Sequence, residues 1–197
     1  KGGMPHPELE KTPAKATIRE KVLREAVASM PEGKLIVLET GTLRDGPPKA
    51  RRSDGWSTLL LAEMLAERGV EGSRLYSVDI EKKYIETAKR TVPEELHRWV
   101  TWIHADSREA LAGLEEEQID LLYLDSADNP ALILQEFDAA LPKLTAHSVV
   151  VVDDTEKKGS RLRGKGSLLV PEAERCGWRA QPRQEGISGV YVLANIR

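Results

Sequence analysis

Five short apolar runs, each closed or soon followed by an acidic residue, constrain the fold most. They are residues 34–39 (KLIVLE), 74–79 (RLYSVD), 100–104 (VTWIH, with Asp106 beyond), 120–125 (DLLYLD) and 148–153 (SVVVVD). Runs with so little polar alternation suit strands buried on both faces, as in parallel sheets. Helical spacing recurs between them: Leu59, Leu60, Met64 and Leu65 within 56–68, a second helix over 82–90 and a third over about 132–141. A first amphipathic helix over 17–30 places Ile18, Val22, Ala26 and Val27 on one stripe. Alternating strands and helices predict an α/β fold, a doubly wound sheet covered on both faces. The end of the chain departs from this rhythm. Residues 177–183 and 190–196 are joined by a short glycine-containing connection without a helix, so an antiparallel C-terminal hairpin brings the sheet to seven strands. Residues 161–166 (RLRGKG) read as a loop.

The 197 residues suit one ordinary domain, expected over 15–197, with 1–14 as a tag remnant and flexible arm. With 29 Lys+Arg against 32 Asp+Glu the formal charge is −3, which disfavours nucleic acid as a partner and a membrane surface as a docking site. The single Cys176 excludes an intrachain disulfide and a cysteine-built zinc site, and points to a reducing, cytoplasmic setting. No apolar stretch approaches the roughly 20 residues that span a bilayer.

In a doubly wound sheet, ligands bind outside the carboxyl ends of the strands. Glu39, Asp79, Asp106, Asp125 and the pair Asp153-Asp154 stand there. A single carboxylate at a strand end often caps the next helix or opens a turn. A series at successive strand ends points to a ligand rich in amino and hydroxyl donors. Gly41 after the first strand allows close backbone approach, and Gly55 precedes Trp56-Ser57 at a helix start, where free N–H groups and the Ser57 hydroxyl suit a carboxylate. Asp79 suits the two hydroxyls of a ribose, and Asp106-Ser107 an exocyclic amine. The fingerprint of three close glycines is absent, which disfavours NAD. No histidine stands near a serine or the cysteine in a triad pattern.

Together these residues resemble the class I S-adenosylmethionine-dependent methyltransferases, over roughly residues 34–197. The resemblance implies a Rossmann-like, mostly parallel sheet of seven strands. It implies S-adenosylmethionine as cofactor, with Glu39, Gly41, Trp56 and Ser57 at its methionine end, Asp79 at the ribose, Ile80 among the cofactor-binding residues, Asp106 and Ser107 at the adenine, and Asp125 near the methyl group. Within the class the chain is most similar to the small catechol and caffeoyl-CoA O-methyltransferases. That likeness implies O-methylation of a small molecule with help from Mg²⁺ or another divalent cation, held by Asp125, Asp153 and Asp154. Those enzymes commonly carry a lysine three residues after the fourth-strand acid. Here Asp128 occupies that position, so Asp125 and Asp128 are the candidate catalytic residues. An insertion over 43–54, with Arg44, Lys49, Arg51 and Arg52, and a second basic stretch over 157–165 suit an anionic small-molecule substrate. A homodimer through the first helix and the sheet edge is compatible with the pattern. Two alternatives stand beside this reading: a metal-independent N- or C-methyltransferase, and a non-catalytic protein that binds the cofactor.

Overall fold

The computed structural model describes residues 17–44, 56–115, 118–185 and 188–195. The arm at 1–14, residues 45–54 of the basic insertion and Gly55 lie outside the described residues. Local signals explain where helices begin and end. Helix α1 (Ile18–Ser29) starts at Thr17, whose hydroxyl accepts the Glu20 amide at 3.1 Å. Helix α2 (Ser57–Arg68) stops at Gly69, in the left-handed region at φ +65°. Strand β1 (Ile36–Thr40) precedes α2, and β2 (Arg74–Asp79) and helix α3 (Lys82–Thr91) follow it. After β3 (Val100–His104) comes α4 (Ser107–Gly113), capped by the Asp106 carboxylate on the Arg108 amide at 2.9 Å. Strand β4 (Ile119–Leu124) leads to α5 (Pro130–Ala140), where Asn129 accepts the amides of Ala131 and Leu132. Then come β5 (Leu144–Val152), β6 (Thr155–Lys158), β7 (Arg161–Gly164), α6 (Leu169–Arg175), β8 (Trp178–Glu185) and β9 (Ser188–Asn195).

Seven strands form one sheet in the order β3-β2-β1-β4-β5-β9-β8. The first five pair in parallel, while β9 runs antiparallel to both β5 and β8, the hairpin expected from the sequence. Strand pleating sends neighbours to opposite cores. Val37, Leu121 and Tyr123 join one core with Leu23, Leu59 and Leu60, and Leu38, Leu122 and Leu124 join the other with Ile133 and Phe137. Three expectations change. Residues 161–164 form strand β7, paired with β6 in a separate two-stranded sheet, because Gly159 at φ +63° turns the chain back on itself. Strand β5 begins at Leu144 rather than 148, and α4 and α6 are helices of seven residues, too short to show periodicity. Among the described residues, no helix is long and apolar enough to cross a membrane.

The chain leaves β1 for β2 and β3 on one side, then crosses back to β4 and β5 on the other. That reversal opens a crevice outside the carboxyl ends of β1 and β4.

Candidate active site

A cavity of about 380 Å³ lies at this crevice, bordered by Gly41, Asp79, Ile80, Asp106, Ser126 and Asn129 among others. Its size is within the usual range for small-molecule sites. Gly41 is fixed by its place against β4: at φ +87°, an added Cβ would stand 2.6 Å from the Asp125 carbonyl oxygen. Its amide donates to the Val78 carbonyl at 2.8 Å, so the turn after β1 is pinned to both neighbouring strands. Asp79, at the end of β2, accepts the Thr42 amide at 3.1 Å on one oxygen and the Glu81 amide at 2.8 Å on the other. Each oxygen keeps a lone pair for a ligand hydroxyl. Ile80 follows with 66% of its surface exposed, an apolar side chain on the wall of a polar cleft. Asp106 pairs with Arg108, whose hydrogen bonds hold the carboxyl down at about 2. Arg44, from the start of the basic insertion, donates to the Ser126 carbonyl at 3.2 Å and lies over the Tyr84 ring.

Four expected ligands sit differently. Glu39 is fully buried beneath the turn, accepting Ser57 Oγ at 2.9 Å and Ser77 Oγ at 2.7 Å. Strand pleating is the reason: Val37 and Glu39 share the face covered by α2, so the Glu39 side chain turns inward and away from the cleft. Ser57 is spent on Glu39, and Trp56 packs into the core beside α2. Ser107 borders the cavity, but its hydroxyl donates to the buried Glu136 of α5, which also accepts Thr40 Oγ1 at 3.1 Å. Glu39, Ser57 and Glu136 build a polar floor, and Ser107 joins that floor to the cavity wall. Ser77 Oγ lies 2.8 Å from Thr42 Oγ1, and Thr58 Oγ1 accepts the Leu43 amide at 3.0 Å, so the floor holds the turn that carries Gly41 and Thr42. Glu136, Ser77 and Thr42 carried no signal in the sequence, because small hydroxyls and one helical glutamate are common everywhere.

Burial raises the Glu39 carboxyl to about 7 from 4.5, although its hydroxyl partners pull it down. The folded protein therefore binds a proton here that the unfolded chain has released. Between about pH 4.5 and 7 this group makes stability fall as pH rises. Glu39→Gln is expected to flatten the pH dependence of the melting temperature across that window and to raise it relative to wild type at pH 8, as thermal denaturation would show.

Beside the cavity, past β4 and β5, stands a second cluster. One carboxylate oxygen from each of Asp125, Asp153 and Asp154 lies within 4.8 Å of the others, so the structure brings the three expected acids together. Their counter-charges are already in place. Lys165, 5% exposed, bonds Asp125 and lies 2.9 Å from Asp154, with Asp128 at 3.7 Å. Arg19 of α1 pairs with Asp153, which also accepts the buried Tyr123 hydroxyl at 2.8 Å. Burial disfavours the Lys165 ammonium, yet Asp125 and Asp154 more than offset this and hold it charged. Burial and the charge of Asp153 push the Asp125 carboxyl up, against Lys165 and Arg19. As folded, these carboxylates do not fit an added divalent ion, because their oxygens face an ammonium and a guanidinium. Lys165, Arg19 and Tyr123 escaped the sequence reading; the only trace was the basic stretch ending at Lys165, between two glycines.

Residues 52–155 match a family model described as a methyltransferase domain. The chain belongs to that family. It is an S-adenosylmethionine-dependent methyltransferase of class I architecture. Solved structures share the fold at low identity. A methyltransferase from Geobacter sulfurreducens is 18% identical, with a TM-score of 0.63 over 89% of this chain and 77% of that one. The O-methyltransferase TomG from Streptomyces achromogenes, involved in tomaymycin synthesis and solved with S-adenosylmethionine, is 20% identical, with a TM-score of 0.63 over 92% and 82%. An rRNA methylase from Streptococcus thermophilus is 11% identical, with a TM-score of 0.63 over 89% and 95%. A comparison with curated proteins finds no match.

Proposed function

We propose that this methyltransferase acts on an oxygen of a small molecule, the acceptor class of the catechol and caffeoyl-CoA group. The observation that carries this reading is the adjacency of two unlike sites across β4: a cleft suited to an adenosine, and an acidic, lysine-bearing cluster at Asp125. In the cleft, Asp79 accepts both ribose hydroxyls, Ile80 lies against the adenine, and Asp106 accepts its amine. Gly41 lets the backbone approach the methionine portion. Glu39, Ser57 and Ser107 act from below by holding the turns that present these groups, and Trp56 by packing behind them.

The acceptor oxygen attacks the sulfonium methyl carbon, the carbon–sulfur bond breaks with its electron pair passing to sulfur, and S-adenosylhomocysteine leaves neutral. The hydroxyl proton passes to Asp128, 92% exposed in its side chain at the edge of the cluster. Asp125 fixes the acceptor side relative to the cofactor, because its backbone contacts Gly41 while its side chain holds Lys165. Rate comes mainly from orientation in a largely preformed site. Assistance by a divalent cation would require Lys165 and Arg19 to give way. Arg44, bonded to the Ser126 carbonyl beside the cavity, and Arg51 and Arg52 further along the basic insertion favour an anionic acceptor.

The test is methyl transfer from labelled S-adenosylmethionine to a panel of hydroxylated aromatic acids, amines and RNA. Transfer to the hydroxylated acids, weakened at least tenfold in KM by reversing the charges of Arg51 and Arg52, is expected. Transfer only to amines or RNA would overturn the reading.

A further inference from the structure

The Lys165 ammonium reaches two of the three acids that look, by composition, like a cation site, and the backbone delivers it there. The Lys165 amide donates to the Asp154 carbonyl at 3.1 Å, and the Gly166 amide to Thr155 Oγ1 at 2.8 Å. Glycine is required on one side and closely packed on the other. A Cβ at Gly164, where φ is +82°, would stand 1.8 Å from the Asp154 carbonyl oxygen, and one at Gly166 would stand 2.8 Å from Thr155 Oγ1. The β6–β7 hairpin thus returns the chain directly onto the segment that bears the acids. Asp154 itself turns at φ +43°, which a residue with a side chain seldom adopts. This lysine differs from a surface lysine that swings into contact, since its backbone is clamped to the residues its side chain neutralises. Arg19 covers the third acid from the opposite direction, off α1.

We propose that Lys165 is a built-in replacement for a divalent cation: its ammonium occupies the acid cluster, excludes Mg²⁺ and Mn²⁺, and supplies the positive charge on the acceptor side. Charge accounting supports this. Asp125, Asp153 and Asp154 bring three negative charges, and Lys165 and Arg19 answer two of them within the cluster. An ammonium has three N–H donors. Asp125 and Asp154 take two, and Asp128 at 3.7 Å stands beyond hydrogen-bond distance, so among the described residues the third donor remains for an acceptor oxygen. The role of that third donor rests on the proposed O-methylation; exclusion of the metal does not.

The experiment is Mn²⁺ titration followed by electron paramagnetic resonance, on wild type, Lys165→Met and Lys165→Gln, with circular dichroism confirming the fold of each. Wild type is expected to bind no stoichiometric Mn²⁺ at millimolar concentration. Removal of the ammonium should create one site at least tenfold tighter, lost again when Asp154→Asn is added. Wild-type binding of one Mn²⁺ below millimolar, abolished by Asp125→Asn, would overturn the proposal. So would folded Lys165 variants that gain no affinity. If neither variant folds, the wild-type titration decides alone, and unchanged S-adenosylmethionine binding in excess chelator is its second readout. Failure to methylate any oxygen acceptor would remove the proposed function while leaving this metal result standing.

Discussion

Asp79→Ala is expected to weaken S-adenosylmethionine binding by roughly 10²–10³-fold, the largest effect of any single change in the cleft. Two hydrogen bonds from ribose hydroxyls to a charged carboxylate are together worth about 3–4 kcal/mol, which corresponds to that range. The carboxylate is prepared for this task, because the Thr42 and Glu81 amides fix its plane before any ligand arrives. Alanine leaves those two amides without their acceptor, so some loss of stability accompanies the loss of affinity. Asp79→Asn separates the contributions: it keeps one carbonyl oxygen and the side-chain volume, and should fall between wild type and alanine. Calorimetric titration of S-adenosylhomocysteine into all three, with melting temperatures alongside, makes the comparison.

Gly41→Ala should destabilise the fold by roughly 2–5 kcal/mol, a left-handed backbone penalty added to an overlap that side-chain rearrangement cannot relieve. The obstacle is backbone, the Asp125 carbonyl carbon and oxygen at 3.0 and 2.6 Å from the new Cβ. Relief requires β1 and β4 to part at their carboxyl ends, where the cleft and the acid cluster meet. Urea denaturation should therefore show a lowered midpoint, and the residual folded protein should bind the cofactor poorly. Gly69→Ala is the control: it also has positive φ, but a Cβ there meets only the Ala66 carbonyl at 3.8 Å, so its cost is the backbone penalty alone.

Part of this site was legible in the sequence because strand ends are. The apolar runs set the sheet, the sheet sets the crevice, and Gly41, Asp79 and Ile80 follow from their places at the ends of β1 and β2. Glu39 shows where such reasoning stops. One residue before a strand end, the pleat decides whether a side chain meets ligand or core, and α2 covers the face that Glu39 takes. Ser107 is similar: its position beside the cavity follows from the cap at Asp106, but its partner Glu136 lies 29 residues away on another helix. Lys165 depends on a contact with Asp125 across 40 residues, made by a hairpin whose sequence reads as a basic loop. Spacing can place three acids together; it does not show which cation reaches them first.

Every role proposed for the cleft requires that the crevice outside β1, β2 and β4 hold S-adenosylmethionine. The most direct test is calorimetric titration of the wild-type protein with S-adenosylmethionine, S-adenosylhomocysteine and NAD in turn. One micromolar site is expected for the first two, and no heat from NAD. A folded protein that binds neither sulfur ligand, or binds them with affinity unchanged in Asp79→Ala, would contradict it.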